Sequence, residues 1–244
     1  MLKTLKTNFM IAAAQTDLNA RLRPGALLEM MQEMAGLHAE RLGIGREKLL
    51  ADNLVWVLTR LEVRMERWPR FGESISIETF PMPNRRWFFP RYFIFRDADG
   101  SEIGCAGSLW ALLDIHERRM CKPDPVIAMM PDNSDLIPPM GMPATVAECS
   151  GEPVCESCLP VYTDLDMNGH VNNTRYADWC CNALGIDTMR TQEPAAFAVN
   201  YNQEILPGCA VETALRRDGN TFSYSGFIGG KRHFDVGGTL RPIA

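Results

Sequence analysis

Asp166, Asn168 and His170 fall within the ten residues Thr163-Asp-Leu-Asp-Met-Asn-Gly-His-Val-Asn172. They supply a carboxylate, an amide and an imidazole, side chains that between them accept a proton, hold a water and donate to a developing negative charge. In an extended segment a period of two puts all three on one face, where they can surround a reacting carbonyl. Two other readings compete. Asp164, Asp166, Asn168 and Gly169 occupy the first, third, fifth and sixth positions of an EF-hand calcium loop, but the twelfth, which needs a bidentate Glu, is Arg175. Pro160 also interrupts any incoming helix. Asp, Asn and Gly are ordinary turn residues as well, so a purely structural turn stands beside the catalytic reading.

The elements that would position these groups occur twice. Thr16-Asp17-Leu18 is followed, after a helical stretch, by Leu42-Gly43-Ile44, and Thr163-Asp164-Leu165 is followed similarly by Leu184-Gly185-Ile186. The first helix opens at Pro24, carries Leu27, Leu28, Met31, Met34, Ala35, His38 and Leu42 at helical spacing, and stops at Gly43. The second has Asn172 or Asn173 as cap, Tyr176, Ala177, Cys180, Ala183 and Leu184 as its apolar face, and Gly185 as terminator. Strand-like runs follow each helix: 54–63 and 74–79 in the first copy, 196–205 and 210–215 in the second. This order predicts an α+β chain of two equivalent modules, each an antiparallel sheet wrapped on its own helix.

Six prolines between Pro123 and Pro143 mark an extended crossing segment. The expected modules are therefore residues 1–125 and 151–244, joined by a linker over 126–150. The 244 residues, 46% hydrophobic and 23% charged, suit a globular protein. No apolar run approaches the ~20 residues of a membrane helix, so no membrane role is expected. Lysines precede a short apolar stretch at the N-terminus, but Thr7 and Asn8 interrupt it, which favours a first strand over a signal peptide. The net charge of −5 argues against a nucleic-acid partner. Among eight cysteines the single C-x-x-C, Cys155 to Cys158, lacks the further ligands of a zinc site and the βαβ context of a redox motif. Reduced, mostly buried thiols in a cytoplasmic protein, with neither metal nor cofactor, are expected.

Asp164 to Asn173, with Tyr176 and Trp179 behind them, resembles the signature of the acyl-acyl-carrier-protein (acyl-ACP) thioesterases of plants and bacteria. Asn84-Arg-Arg-Trp87, Phe95-Arg-Asp-Ala-Asp-Gly-Ser-Glu-Ile-Gly104, Gly107-Ser-Leu-Trp-Ala-Leu-Leu113 and Arg118-Arg119 resemble that family's other diagnostic stretches, in the same order. The resemblance implies a tandem double hotdog fold, an acyl tunnel in the N-terminal module and catalytic groups on the C-terminal one. It also implies hydrolysis of the thioester between a fatty acyl chain and the carrier protein's phosphopantetheine arm.

Carried over by position, the family's Asp-x-Asn-x-His pattern falls on Asp166, Asn168 and His170, and its later acidic residue falls on Glu204. The cysteine that often follows that Glu in plant enzymes is Ile205 here, so a thiolate at that position is excluded. Glu204 is the leading base and Asp166 its rival; outside the resemblance, Glu204 reads first as a solvated charge at a strand end. His38 reads as a core-edge residue, His116 and His233 have no assigned role, and Met30, Met31 and Met34 suit core packing or a tunnel wall. An acidic carrier needs a basic surface, which Arg85, Arg86 and Arg91, or Arg64, Arg67 and Arg70, would supply. An acyl-coenzyme A thioesterase and a non-hydrolytic acyl-binding protein are the alternatives, and a further homodimer is left open.

Overall fold

The computed structural model describes residues 2–243. The N-terminal half runs β1 (Leu5–Met10), α1 (Pro24–Arg41), α2 (Arg46–Ala51), β2 (Leu54–Met65), β3 (Ser74–Pro81), β4 (Phe88–Arg96), β5 (Glu102–Asp114), β6 (Arg119–Cys121) and α3 (Asp124–Ala128). The C-terminal half runs β7 (Val154–Cys158), α4 (Arg175–Leu184), α5 (Ile186–Thr191), β8 (Gln192–Tyr201), β9 (Val211–Asp218), β10 (Thr221–Ile228) and β11 (Lys231–Pro242). The sequence predicts two sheets. They are joined edge to edge: Arg60 to Arg64 of β2 pair antiparallel with Asn200 to Ala196 of β8, giving a continuous order β1-β3-β4-β5-β2-β8-β11-β10-β9-β7. Pairing two edge strands in this way removes two exposed rows of backbone groups that would otherwise invite aggregation.

Each half wraps its own helix. Pro24 occupies the first turn of α1, where its missing N–H costs nothing, and Gly43 follows the helix at φ +77°. Leu27, Met31, Met34 and Ala35 are buried against Phe93, Phe95, Ile75 and Ile77 of the sheet. Met30, Met31 and Met34 are therefore core residues, as their spacing suggests. The start of α1 meets α4 so closely that a Cβ on Gly25 would fall 2.4 Å from a carboxylate oxygen of Asp178. Asn172 and Asn173, the expected caps of α4, both precede its N-cap, which is Thr174; the Asn172 side chain, three residues before the helix begins, accepts from the Thr174 amide at 3.0 Å.

Between α3 and β7 the chain forms no regular element, and α3 itself straddles the expected linker boundary. This segment is tied to the sheet at intervals. Asn133 donates to the Pro81 carbonyl at 2.7 Å, Met140 packs on Phe80 and Tyr92, and the Cys149 amide bonds Ser223 Oγ at 2.9 Å. All eight cysteines are free thiols. Among the described residues no helix is long and apolar enough to cross a membrane.

His38 is fully buried, deeper than the core-edge position its spacing suggests. Its Nδ1 faces Arg91 Nη1 at 3.1 Å and its Nε2 faces the Leu2 carbonyl at 3.1 Å, so the neutral tautomer protonated at Nε2 satisfies both contacts. Burial, and then the Arg91 charge, pull its pKa down to about 4. Between pH 6.5 and 4 the unfolded chain therefore binds a proton that the native state refuses, and stability falls as the pH drops through that window. Wild type should lose on the order of 3 kcal/mol there from this group. Urea midpoints at pH 7 and pH 4 should converge more in His38→Gln than in wild type; an unchanged difference would remove His38 as the cause.

Candidate active site

The catalytic candidates sit on two loops of the C-terminal half. The first is not extended. A bridge between Leu165 and Val171 closes it, the Asp166 amide donates to the His170 carbonyl at 2.8 Å, and Gly169 takes φ +77°. Asp166 organises this turn: Oδ1 accepts the amides of Asn168 at 2.8 Å and His170 at 3.3 Å, and Oδ2 accepts the Asn168 side-chain amide at 3.2 Å. The three side chains are thus brought together by a carboxylate-centred turn, not by strand alternation.

The second loop follows β8, which stops at Tyr201; the expected strand to residue 205 ends four residues early. Ile205 is fully buried and accepts the Val171 amide at 2.9 Å, locking the two loops together. Glu204 Oε2 then lies 3.6 Å from His170 Nδ1. This exceeds a direct hydrogen bond, so both groups keep their capacity to bond water or substrate. His233, to which the sequence assigns no role, approaches the Glu204 carbonyl through Nδ1 at 3.0 Å, and its own carbonyl accepts the amides of Asn202 and Gln203. No sequence spacing links residue 233 to residue 204; the contact arises from β11 lying beside β8.

At the start of α4 the amides of Thr174 and Arg175 are taken by Asn172. Tyr176 stacks on Phe234 at 4.2 Å and borders the site; burial, and then the Asp166 charge, push its pKa up, leaving a neutral phenol.

Asp166, Asn168, His170 and Glu204 border one end of a cavity of about 600 Å³. Most of its wall comes from the N-terminal half, including Ala35 and Ala39 of α1, Leu49 of α2, Trp56 of β2, Phe89 of β4 and Leu113 of β5, and the C-terminal half adds Val171, Tyr176 and Tyr201. Arg91 lines it from β4, three strands across from β8, or about 14 Å at the usual strand spacing. Arg91 is 7% exposed, so it belongs to the cavity wall and is unavailable to a docking partner, correcting its expected surface role. Burial lowers its pKa to about 10, which still leaves it charged at neutral pH. Arg85 and Arg86 are exposed, beside an exposed Trp87 whose ring lies 5.4 Å from Lys122 Nζ. Arg64 and Arg67, of the alternative trio, are engaged by Glu62, Glu73 and Asp97.

The N-terminal half carries a counterpart of this site. Asp17 accepts the Asn19 and Arg21 amides at 2.8 and 3.0 Å, as Asp166 accepts those of Asn168 and His170. Leu22 donates to Pro69 as Val171 donates to Ile205. Asp17 is therefore equivalent to Asp166, two residues from the register suggested by the shared Thr-Asp-Leu. Arg21 stands where His170 stands, and Trp68 where Glu204 stands. Arg21 is buried and bonds Asp17, Glu193 and the Met189 carbonyl, while Trp68 Nε1 bonds the Pro194 carbonyl at 2.7 Å.

The sequence profile of the acyl-ACP thioesterase N-terminal domain matches residues 3–129, and that of the C-terminal domain matches residues 151–231. The chain belongs to the acyl-ACP thioesterase family. Its curated relatives include the chloroplastic palmitoyl-acyl carrier protein thioesterase of Gossypium hirsutum, 26% identical over 219 residues, covering 81% of this chain and 51% of that protein. Oleoyl-acyl carrier protein thioesterase 2 of Arabidopsis thaliana is 24% identical over 223 residues, covering 82% and 59%. The chain thus spans about half the length of the curated relatives it matches. An acyl-ACP thioesterase structure from Bacteroides thetaiotaomicron superposes with a TM-score of 0.89 at 27% identity, covering 98% of both chains. The 12:0-ACP thioesterase of Umbellularia californica gives 0.84 at 21% identity, covering 98% of both. The acyl-ACP thioesterase fold is thus shared over nearly the whole chain, in keeping with the expected double hotdog.

Proposed function

We propose that this protein hydrolyses fatty acyl-ACP to free fatty acid and holo-ACP, ending chain elongation. The observation that carries this reading is the junction of a largely apolar cavity with a His170 and Glu204 pair at one end. The acyl chain occupies the cavity and its thioester lies at the loops. Glu204 accepts a proton from a water whose oxygen attacks the carbonyl carbon, and the free Asn168 amide hydrogen and the His170 imidazole donate to the oxyanion. The carbon–sulfur bond then breaks, the thiolate receives a proton, and the carboxylic acid leaves. Asp166 is the weaker base candidate because both of its oxygens already accept hydrogen bonds from the turn.

The carrier is distinguished from coenzyme A by the protein surrounding the same pantetheine arm. Rates on matched acyl-ACP and acyl-coenzyme A thioesters test this: a higher kcat/KM for acyl-ACP is expected, and a preference for acyl-coenzyme A would overturn the carrier assignment. The exposed Arg85 and Arg86 beside Trp87 suit an acidic carrier surface. Arg85→Glu with Arg86→Glu should raise KM for acyl-ACP by roughly five- to tenfold while leaving a short thioester surrogate nearly unaffected. Equal effects on both substrates would remove these residues from docking.

A further inference from the structure

Asn168 is held from both ends. Its Nδ2 donates to Asp166 Oδ2 at 3.2 Å, and its Oδ1 accepts from Arg46 Nη2 at 3.0 Å. A guanidinium only donates and a carboxylate only accepts. The reversed amide would set an NH₂ against Arg46 and a carbonyl against Asp166, so the two contacts demand the same orientation. One Nδ2 hydrogen remains uncommitted beside the cavity.

Arg46 comes from the other half of the molecule, 122 residues earlier in the chain, at the first residue of α2. Its position is itself fixed: the Arg46 amide donates to Glu40 Oε1 at 2.9 Å, and that carboxylate packs so tightly on Gly45 that a Cβ there would overlap it. One turn further along α2, Leu49 is buried in the cluster with Ile44, Phe89 and Leu112 and lines the cavity. The short helix therefore touches the apolar wall with one residue and the site amide with another. The equivalent turn in the N-terminal half is organised differently, since Asn19 Nδ2 donates to the Met189 carbonyl at 2.9 Å.

We propose that Arg46 is a positioning residue for thioester hydrolysis, fixing the Asn168 amide so that its free N–H is presented to the reacting carbonyl. This rests on the hydrolytic reading above. The test is a double-mutant cycle on steady-state acyl-ACP hydrolysis with Arg46→Met, Arg46→Lys, Asn168→Ala and the Arg46→Met/Asn168→Ala pair. A hydrogen bond to a charged group of ordinary strength predicts that Arg46→Met lowers kcat about tenfold, with KM changed less than twofold. Arg46→Lys, which keeps a donor, should recover most of the rate. In the Asn168→Ala background the Arg46→Met change should have no further effect. An undiminished effect in that background, or a change in KM alone, would show Arg46 acting on the carrier arm and would overturn the proposal, as would unchanged kinetics in Arg46→Met. Arg46 is exposed, so its replacement leaves the core packing in place. Failure of wild type to turn over at all would instead overturn the hydrolytic reading, which separates the two.

Discussion

Replacing Glu204 with Gln should lower kcat on acyl-ACP by about 10²- to 10⁴-fold, the range general-base catalysis supplies, with little change in KM. The substitution keeps size and hydrogen-bonding capacity and removes only the basic carboxylate. Glu204 is 64% exposed, so the variant should fold and melt as wild type does, and a loss of rate can be assigned to chemistry. His170→Ala should fall comparably, and the double variant little further, because the two act on one water and one carbonyl. A Glu204→Gln enzyme within threefold of wild type would transfer the base to Asp166 or require another mechanism.

The second large effect concerns stability. Arg21→Met should destabilise the fold by about 3–5 kcal/mol, the usual result of breaking a buried ion pair from one side. Arg21 donates to Glu193 Oε2 at 2.9 Å and to Asp17 Oδ2 at 2.8 Å, with its side chain 3% exposed. Glu193 retains Arg241 at 2.8 Å, but Asp17 loses its ionic partner. The same turn that holds His170 in the C-terminal half is thus a structural joint in the N-terminal one, tying α5 and β8 to the opposite module. Urea denaturation measures the loss, and kcat per folded molecule should stay near wild type. A change below about 1 kcal/mol would mean that solvent or neighbouring groups replace these contacts, and a selective fall in kcat would give the N-terminal turn a part in the reaction.

The parts of this molecule legible in the sequence are those fixed by local pattern. Pro24 and Gly43 bound α1 as expected, Gly185 ends α4 while Thr174 rather than Asn172 or Asn173 stands at its N-cap, and the two-module order follows from the repeat. The joining of β2 to β8 was not legible, because edge pairing depends on which strands are brought side by side and leaves no period in the sequence. The repeat register was misleading for a related reason: Thr16-Asp17-Leu18 and Thr163-Asp164-Leu165 match by letter, whereas the equivalence of Asp17 with Asp166 lies in the amides their carboxylates accept. Arg91 illustrates burial set by neighbours. Strand alternation puts it on the same face as Phe89 and Phe93, and its contacts with His38 and Thr79 from other elements accompany its burial in the cavity wall. Arg46 and His233 reach the site from other elements and carry no motif at all.

On the proposed function, the cavity and its loops cleave a thioester and do not merely hold an acyl chain. Release of carrier thiol should be followed alongside free fatty acid from a series of acyl-ACP substrates of increasing chain length, saturated and unsaturated. Thiol and acid appearing in equal amounts, catalytically, with a rate that peaks at one chain length, is the predicted result. Tight binding of the same substrates with no thiol released at any length would contradict it and leave an acyl-binding protein whose Asp166 turn is structural.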